Sequence, residues 1–166
     1  MVRWLLLVSL MPATALPQSF DVRSAGSRPA EPAVLALVHE YAQHLTGWTS
    51  IADRDKKRRP LVTTDYFYHD LNGSDIGFAA LTERHKKNDL RVSEGRIYDA
   101  VLYQHESSAI LTYKSWTRGM DKGRPFEGYG SAALVMTRTA DGWLVAADIM
   151  GQDPPAPVQP QTQRKH

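Results

Sequence analysis

From Phe126 to Gly151 the apolar and polar positions trace two strands joined by a tight turn. Leu134, Val135 and Met136 precede the turn. Ala140-Asp141-Gly142 supply it, because Asp-Gly suits the positive φ angles of a hairpin. Trp143, Val145, Ala147 and Ile149 then alternate with Leu144, Ala146, Asp148 and Met150. Both faces of this last strand are largely apolar, so both should be covered. The chain's own helices would cover one face and a second subunit the other. Asp148 stands out as a carboxylate among apolar neighbours.

Upstream, the period changes with position. A first helix begins near Pro32, where proline is tolerated in the first turn. Val34, Leu37, Val38, Tyr41 and Leu45 form its apolar stripe, and Gly47 ends it. Trp48 to Pro60 reads as a second helix with a basic run, Lys56-Lys57-Arg58-Arg59, which fits a solvated face. Asp65 to Asp70 is a short aromatic-rich strand, and Asn72-Gly73-Ser74 turns the chain. That tripeptide is also an N-glycosylation sequon, meaningful only in a eukaryotic secretory path. Ser74 or Asp75 can cap a third helix running to about Asn88, with Phe78 and Leu81 inward. The period then becomes two. Arg91 to Tyr103 and Ser107 to Arg118 read as strands joined at Gln104 to Glu106, with a loop at Met120 to Arg124.

The 166 residues fit one domain with a real core. A net charge of +2 is too small to imply nucleic acid or an anionic membrane as partner. With no cysteine, disulfides, thiolate catalysis and cysteine-based zinc sites are excluded. The N-terminus reads as an export signal, residues 1–15: Arg3, an apolar run from Trp4 to Met11, and the small-residue site Ala13-Thr14-Ala15. That run is shorter than the ~20 residues of a membrane span. The expected mature protein is exported, periplasmic or secreted. Residues 16–31 read as a flexible leader, 32–151 as the domain, and 152–166, rich in proline, as a disordered tail.

Helices, a short strand, a helix and a long antiparallel meander indicate an α+β fold, the helices covering one face of a curved sheet. Helix 1, the basic helix, the stretch Leu61 to Gly73, the third helix and the closing Arg138-Thr139, Asp141-Gly142-Trp143 pattern together resemble the SnoaL-like branch of the NTF2-like superfamily. Ketosteroid isomerase, scytalone dehydratase and polyketide cyclases share that cone-shaped fold. The resemblance covers roughly Ala33 to Gly151. It implies three N-terminal helices on a curved, mostly antiparallel sheet, and an apolar pocket for a small ring-bearing molecule.

Sharper motifs fail. His39 and His44 in His39-Glu40-Tyr41-Ala42-Gln43-His44 are spaced one residue too far for a shared zinc, about 140° apart on a helix. Gly128-Tyr129-Gly130-Ser131-Ala132-Ala133 matches a dinucleotide-binding glycine pattern but lacks the strand–turn–helix setting. No metal or cofactor is expected. Candidate pocket residues are Tyr41, Tyr66, Tyr68, His69, Asp70, Trp116 and Asp148. Aromatic residues at these spacings are more often core than ligand contacts, a turn accounts for Asp70, and an arginine partner such as Arg118 or Arg138 for Asp148. The resemblance to ketosteroid isomerase implies catalytic roles for Tyr41, donating to a developing enolate, and for Asp70, moving the proton. Burial beside Tyr66 and Tyr68 would raise the Asp70 pKa. The isomerase's second donor falls near Ala133-Leu134, both apolar, and Asp148 on the neighbouring strand is its possible substitute. Two functions stay open: an acid–base isomerase, dehydratase or lyase, and a non-catalytic ligand-binding or dimerisation module. A homodimer through the outer sheet face is expected either way.

Overall fold

The computed structural model describes residues 20–25, 29–44 and 50–151. The expected signal, the proline-rich tail, Leu45 and Gly47 lie outside them. The elements follow in the order β1 (Val22–Ala25), α1 (Pro32–Gln43), α2 (Ile51–Arg58), a 3₁₀ turn (Arg59–Leu61), β2 (Val62–His69), β3 (Asp75–Gly77), α3 (Phe78–Lys87), β4 (Arg91–Gln104), β5 (Ser108–Asp121), β6 (Arg124–Thr139) and β7 (Gly142–Gly151). The strands form one mixed sheet in the order β1-β4-β5-β6-β7-β2-β3.

Three expectations need correction. Val22–Ala25, placed in the flexible leader, is a strand paired parallel to β4, with Val22 opposite Ala100. The helices are not all N-terminal, since β2 and β3 come before α3. Nor does Ser74 or Asp75 cap α3. Asp75–Gly77 pair antiparallel with the end of β2, so Gly77 precedes the helix without a capping side chain.

The long meander follows its period-two pattern. The loop expected at Met120–Arg124 closes to two residues, because β5 and β6 pair up to Asp121 opposite Arg124. Lys122 and Gly123 both have positive φ, 52° and 75°, the requirement of a tight hairpin matched to strand twist.

One side of the sheet carries the core. Leu102, Leu111 and Leu134 face one another across β4, β5 and β6. Val34, Leu37, Val38 and Tyr41 of α1 and Leu81 of α3 pack onto this face, all buried. In β7 a bulge changes the face assignment. Val145 pairs with Met136 but Ala147 pairs with Val135, leaving Ala146 as the extra residue. One extra residue flips every later side chain to the other face. Trp143, Val145, Asp148 and Met150, opposite Arg138, Met136, Leu134 and Ala132, therefore share the helix side. Ala147 and Ile149 turn outward, contrary to uninterrupted alternation.

Candidate functional site

Four elements converge on Asp148. The stripe that seats α1 on the sheet carries Tyr41 inward, fully buried. Arg54 and Arg58, one helical turn apart on α2, are both buried, Arg58 toward Tyr41 and Asp148 and Arg54 toward His85 of α3. Val62, Tyr66 and Tyr68 of β2 point the same way, and β2 runs parallel to β7 with Tyr68 opposite Asp148. The β7 bulge completes the convergence by bringing the carboxylate inside.

The Tyr41 hydroxyl is the hub. It donates to Asp148 Oδ2 at 3.1 Å and lies 3.3 Å from the Tyr66 hydroxyl. Arg58 Nη2 donates to the same Tyr41 oxygen. The Arg58 guanidinium also sits 4.4 Å from the Tyr41 ring centroid, and its Nη2 lies 3.7 Å from Asp148 Oδ2. Burial disfavours the charged carboxylate and pushes the Asp148 pKa up to about 6, against the opposing pull of Arg58. Burial, reinforced by the Asp148 charge, also raises the Tyr66, Tyr68 and Tyr113 phenols. Two atoms of this centre, Asp148 Oδ1 and Arg58 Nε, are buried with no hydrogen-bond partner among the described residues.

Asp70 lies in a different setting. Its Oδ1 accepts from the main-chain N–H groups of Asn72 and Ser74 at 2.9 and 3.1 Å, and its Oδ2 from Arg84 at 2.8 Å. The Ser74 N–H is the largest influence, and these donors hold Asp70 below the usual carboxylate range. The expected upward shift is therefore reversed: a carboxylate stabilised as an anion is a poorer base. Arg84 links this turn to the interior, stacking 5.3 Å from the Tyr68 ring centroid. His69 faces the other way and pairs with Asp75 at 2.6 Å. Trp116 is on the outer sheet surface between Arg96 and Tyr129, with its Nε1 donating to Glu127 at 2.8 Å. The structure thus gathers Tyr41, Tyr66, Tyr68 and Asp148, and leaves Asp70, His69 and Trp116 outside the cluster. The arginine beside Asp148 is Arg58; Arg118 pairs with Glu94 and Arg138 with Glu31.

Sequence reasoning missed Arg58, which it assigned to a solvated basic run. The signal was available in the spacing of Ile51, Arg54 and Arg58, i, i+3 and i+7, which puts the three on one helical face. Arg54 is held by Asp55 at 2.7 Å and donates to His85 Nδ1 of α3. Burial and the adjacent arginines push the His85 pKa down to about 3, so the ring accepts as a neutral imidazole.

Among the described residues, clefts open on the surface at several places. One of about 740 Å³ runs between Ser24, Glu31, Gln104 and His105. One of about 400 Å³ lies over Thr112, Ala133 and Ile149, and one of about 610 Å³ beside Arg23, Asp99 and Val101. Neither Asp70 nor Asp148 lines any of these three.

One mixed sheet with three helices has the NTF2-like fold. Solved structures share it. An NTF2-like protein of Rhodospirillum rubrum is 20% identical, covers 69% of this chain and 96% of its own, and superposes with a TM-score of 0.60. A candidate ketosteroid isomerase from Shewanella frigidimarina is 16% identical over 73% of this chain and 96% of its own, with a TM-score of 0.54. The CaMKII hub of S. rosetta is 14% identical over 76% of this chain and all of its own (100%), with a TM-score of 0.57. No family model and no curated protein sequence matches the chain.

Proposed function

We propose that this chain is a small-molecule-binding protein of NTF2-like fold, whose ligand presents a ring hydroxyl to the Arg58–Tyr41–Asp148 centre. The carrying observation is the unmet pair Asp148 Oδ1 and Arg58 Nε. A buried acceptor and a buried donor without partners are costly and uncommon in native interiors. One hydroxyl serves both: its oxygen accepts from Arg58 and its hydrogen goes to Asp148. The apolar and aromatic surroundings, Tyr66, Tyr68, Leu134 and Met150, suit a ring. Both atoms are sealed from solvent, so entry requires a neighbouring side chain to move.

The test is calorimetric titration with phenol, cyclohexanol and toluene as probes. The hydroxylated rings should bind and toluene should bind worse. Asp148→Asn should weaken phenol binding about tenfold or more, the scale of a hydrogen bond to a charged group. Equal affinity for wild type and Asp148→Asn removes the reading.

Acid–base catalysis is the second reading, favoured by the Asp148 pKa near 6 next to a phenol donor. The proton-moving group is then Asp148 rather than Asp70. Exchange of the protons beside the carbonyl of cyclohexanone into heavy water should be accelerated by wild type and lost in Asp148→Asn. No acceleration leaves binding as the function.

The sequence pattern supports membership of the SnoaL-like branch, export with removal of residues 1–15, and a homodimer through the outer sheet face. Phe67, Tyr103, Ile110 and Tyr129 are all exposed large apolar side chains. Mass spectrometry of the protein from its native compartment tests the first cut: a chain beginning at Leu16 is expected, and an intact Met1 contradicts it.

A further inference from the structure

We infer that Asn72 is a site of spontaneous deamidation, a self-modification that rewires the turn seating Asp70. The chain has two asparagines, Asn72 and Asn88, and only Asn72 precedes a glycine. Asn72 and Gly73 are both exposed, and Gly73 takes a φ of +79° that favours glycine. A Cβ built on Gly73 would meet nothing within 4 Å, so the turn is open on that side.

The reaction needs only water. The Gly73 main-chain nitrogen loses its proton to solvent base and attacks Asn72 Cγ. A C–N bond forms, the Cγ–Nδ2 bond breaks, and ammonia leaves. Water then opens the resulting succinimide at either carbonyl, giving an aspartyl or an isoaspartyl linkage. Nothing is oxidised or reduced. The reacting nitrogen is restrained by a hydrogen bond from Gly73 N–H to the Asp70 carbonyl at 3.0 Å, and the turn around it by the Asn72 and Ser74 N–H groups on Asp70 Oδ1. An exposed turn releases such a bond in local opening, at far less cost than global unfolding.

Asn88 is the contrast within the same molecule. It is half-buried at the C-terminal end of α3, donates to the Arg84 carbonyl at 3.1 Å, and accepts from Lys122 N–H at 2.7 Å. The next residue is Asp89, whose side chain obstructs attack.

The consequence falls on Asp70. The Asn72 and Ser74 N–H groups that hold Asp70 Oδ1 flank the reacting bond. An isoaspartyl linkage adds one methylene to the main chain between them, so one donor is lost and the Arg84 seat loosens.

The full chain is held in mildly alkaline buffer and digested, and the two asparagine peptides are weighed and tested for isoaspartate. The expected result is the amide-to-acid mass gain at Asn72, with isoaspartyl product, while Asn88 stays intact. Asn72→Gln should lose the gain at that peptide, and Gly73→Ala should lose most of it. A urea-unfolded sample serves as reference. The inference is overturned if the Asn72 peptide stays intact in the folded chain, whether or not the unfolded chain converts, or if Asn88 converts first.

Discussion

Arg58 and Asp148 hold each other's charge in place, and their variants should show it. Removing one partner of a buried pair leaves an uncompensated charge, which costs about 3–5 kcal/mol. Arg58→Met should therefore destabilise by that amount at pH 8 in urea titration. At pH 5 the loss should shrink, because Asp148 is then mostly protonated and has no charge to strand. Adding Asp148→Leu should recover much of the loss at pH 8. A loss equal at both pH values would mean that Arg58 acts through packing alone.

The two shifted interior groups pull stability in opposite directions with pH. Asp148 has a folded pKa near 6, above its ordinary 3.8. Its contribution is complete below 3.8 and is lost as pH rises through 6. His85 has a folded pKa near 3, below its ordinary 6.5. Its contribution is present above 6.5 and is lost as pH falls toward 3. Denaturation midpoints of Asp148→Asn and His85→Gln across pH 4 to 7 should diverge. The first variant should lose the penalty that wild type acquires toward neutrality, and the second the wild-type decline toward acid. Parallel curves for the two would contradict these assignments.

At the level of elements, periodicity carried most of the information. The helical stripe Val34, Leu37, Val38, Tyr41 is the stripe that packs. The period-two runs became β4, β5, β6 and β7 with ends shifted by a few residues. What periodicity could not express was a single inserted residue. Ala146 has no distinctive chemistry, yet its bulge decides that Asp148 joins Trp143 and Val145 on the helix side. Strand β1 was illegible because four residues of pairing leave no repeat to read. Asp70 misled because a carboxylate before Leu-Asn-Gly fits a motif and a turn alike, and only the three donors around it decide. The β5–β6 hairpin offers a test of turn chemistry. Lys122 has a left-handed φ of 52°, which costs a residue with a Cβ roughly 1–2 kcal/mol. Lys122→Asn should raise stability by up to about 1 kcal/mol, read as a higher urea midpoint with unchanged slope. No gain would mean that the lysine makes a compensating contact.

For the whole molecule, the outer sheet face should decide assembly. Ile110, 43% exposed, lies opposite Val135 and Tyr103 on that face. An apolar patch of this kind is normally an interaction surface. Light scattering should give a dimer for wild type at tens of micromolar, on the order of common dimer constants, and a monomer for Ile110→Glu. A monomeric wild type would remove the second subunit from the account.

The central claim is that Asp148 is the titrating heart of a binding site. Carboxyl-carbon NMR of the protein, with Asp148→Asn to assign the signal, tests it most directly. The account predicts a titration near pH 6 for Asp148 in the free protein, and a displaced midpoint when phenol is saturating. An Asp148 signal that titrates in the ordinary carboxylate range and does not move with phenol would contradict it.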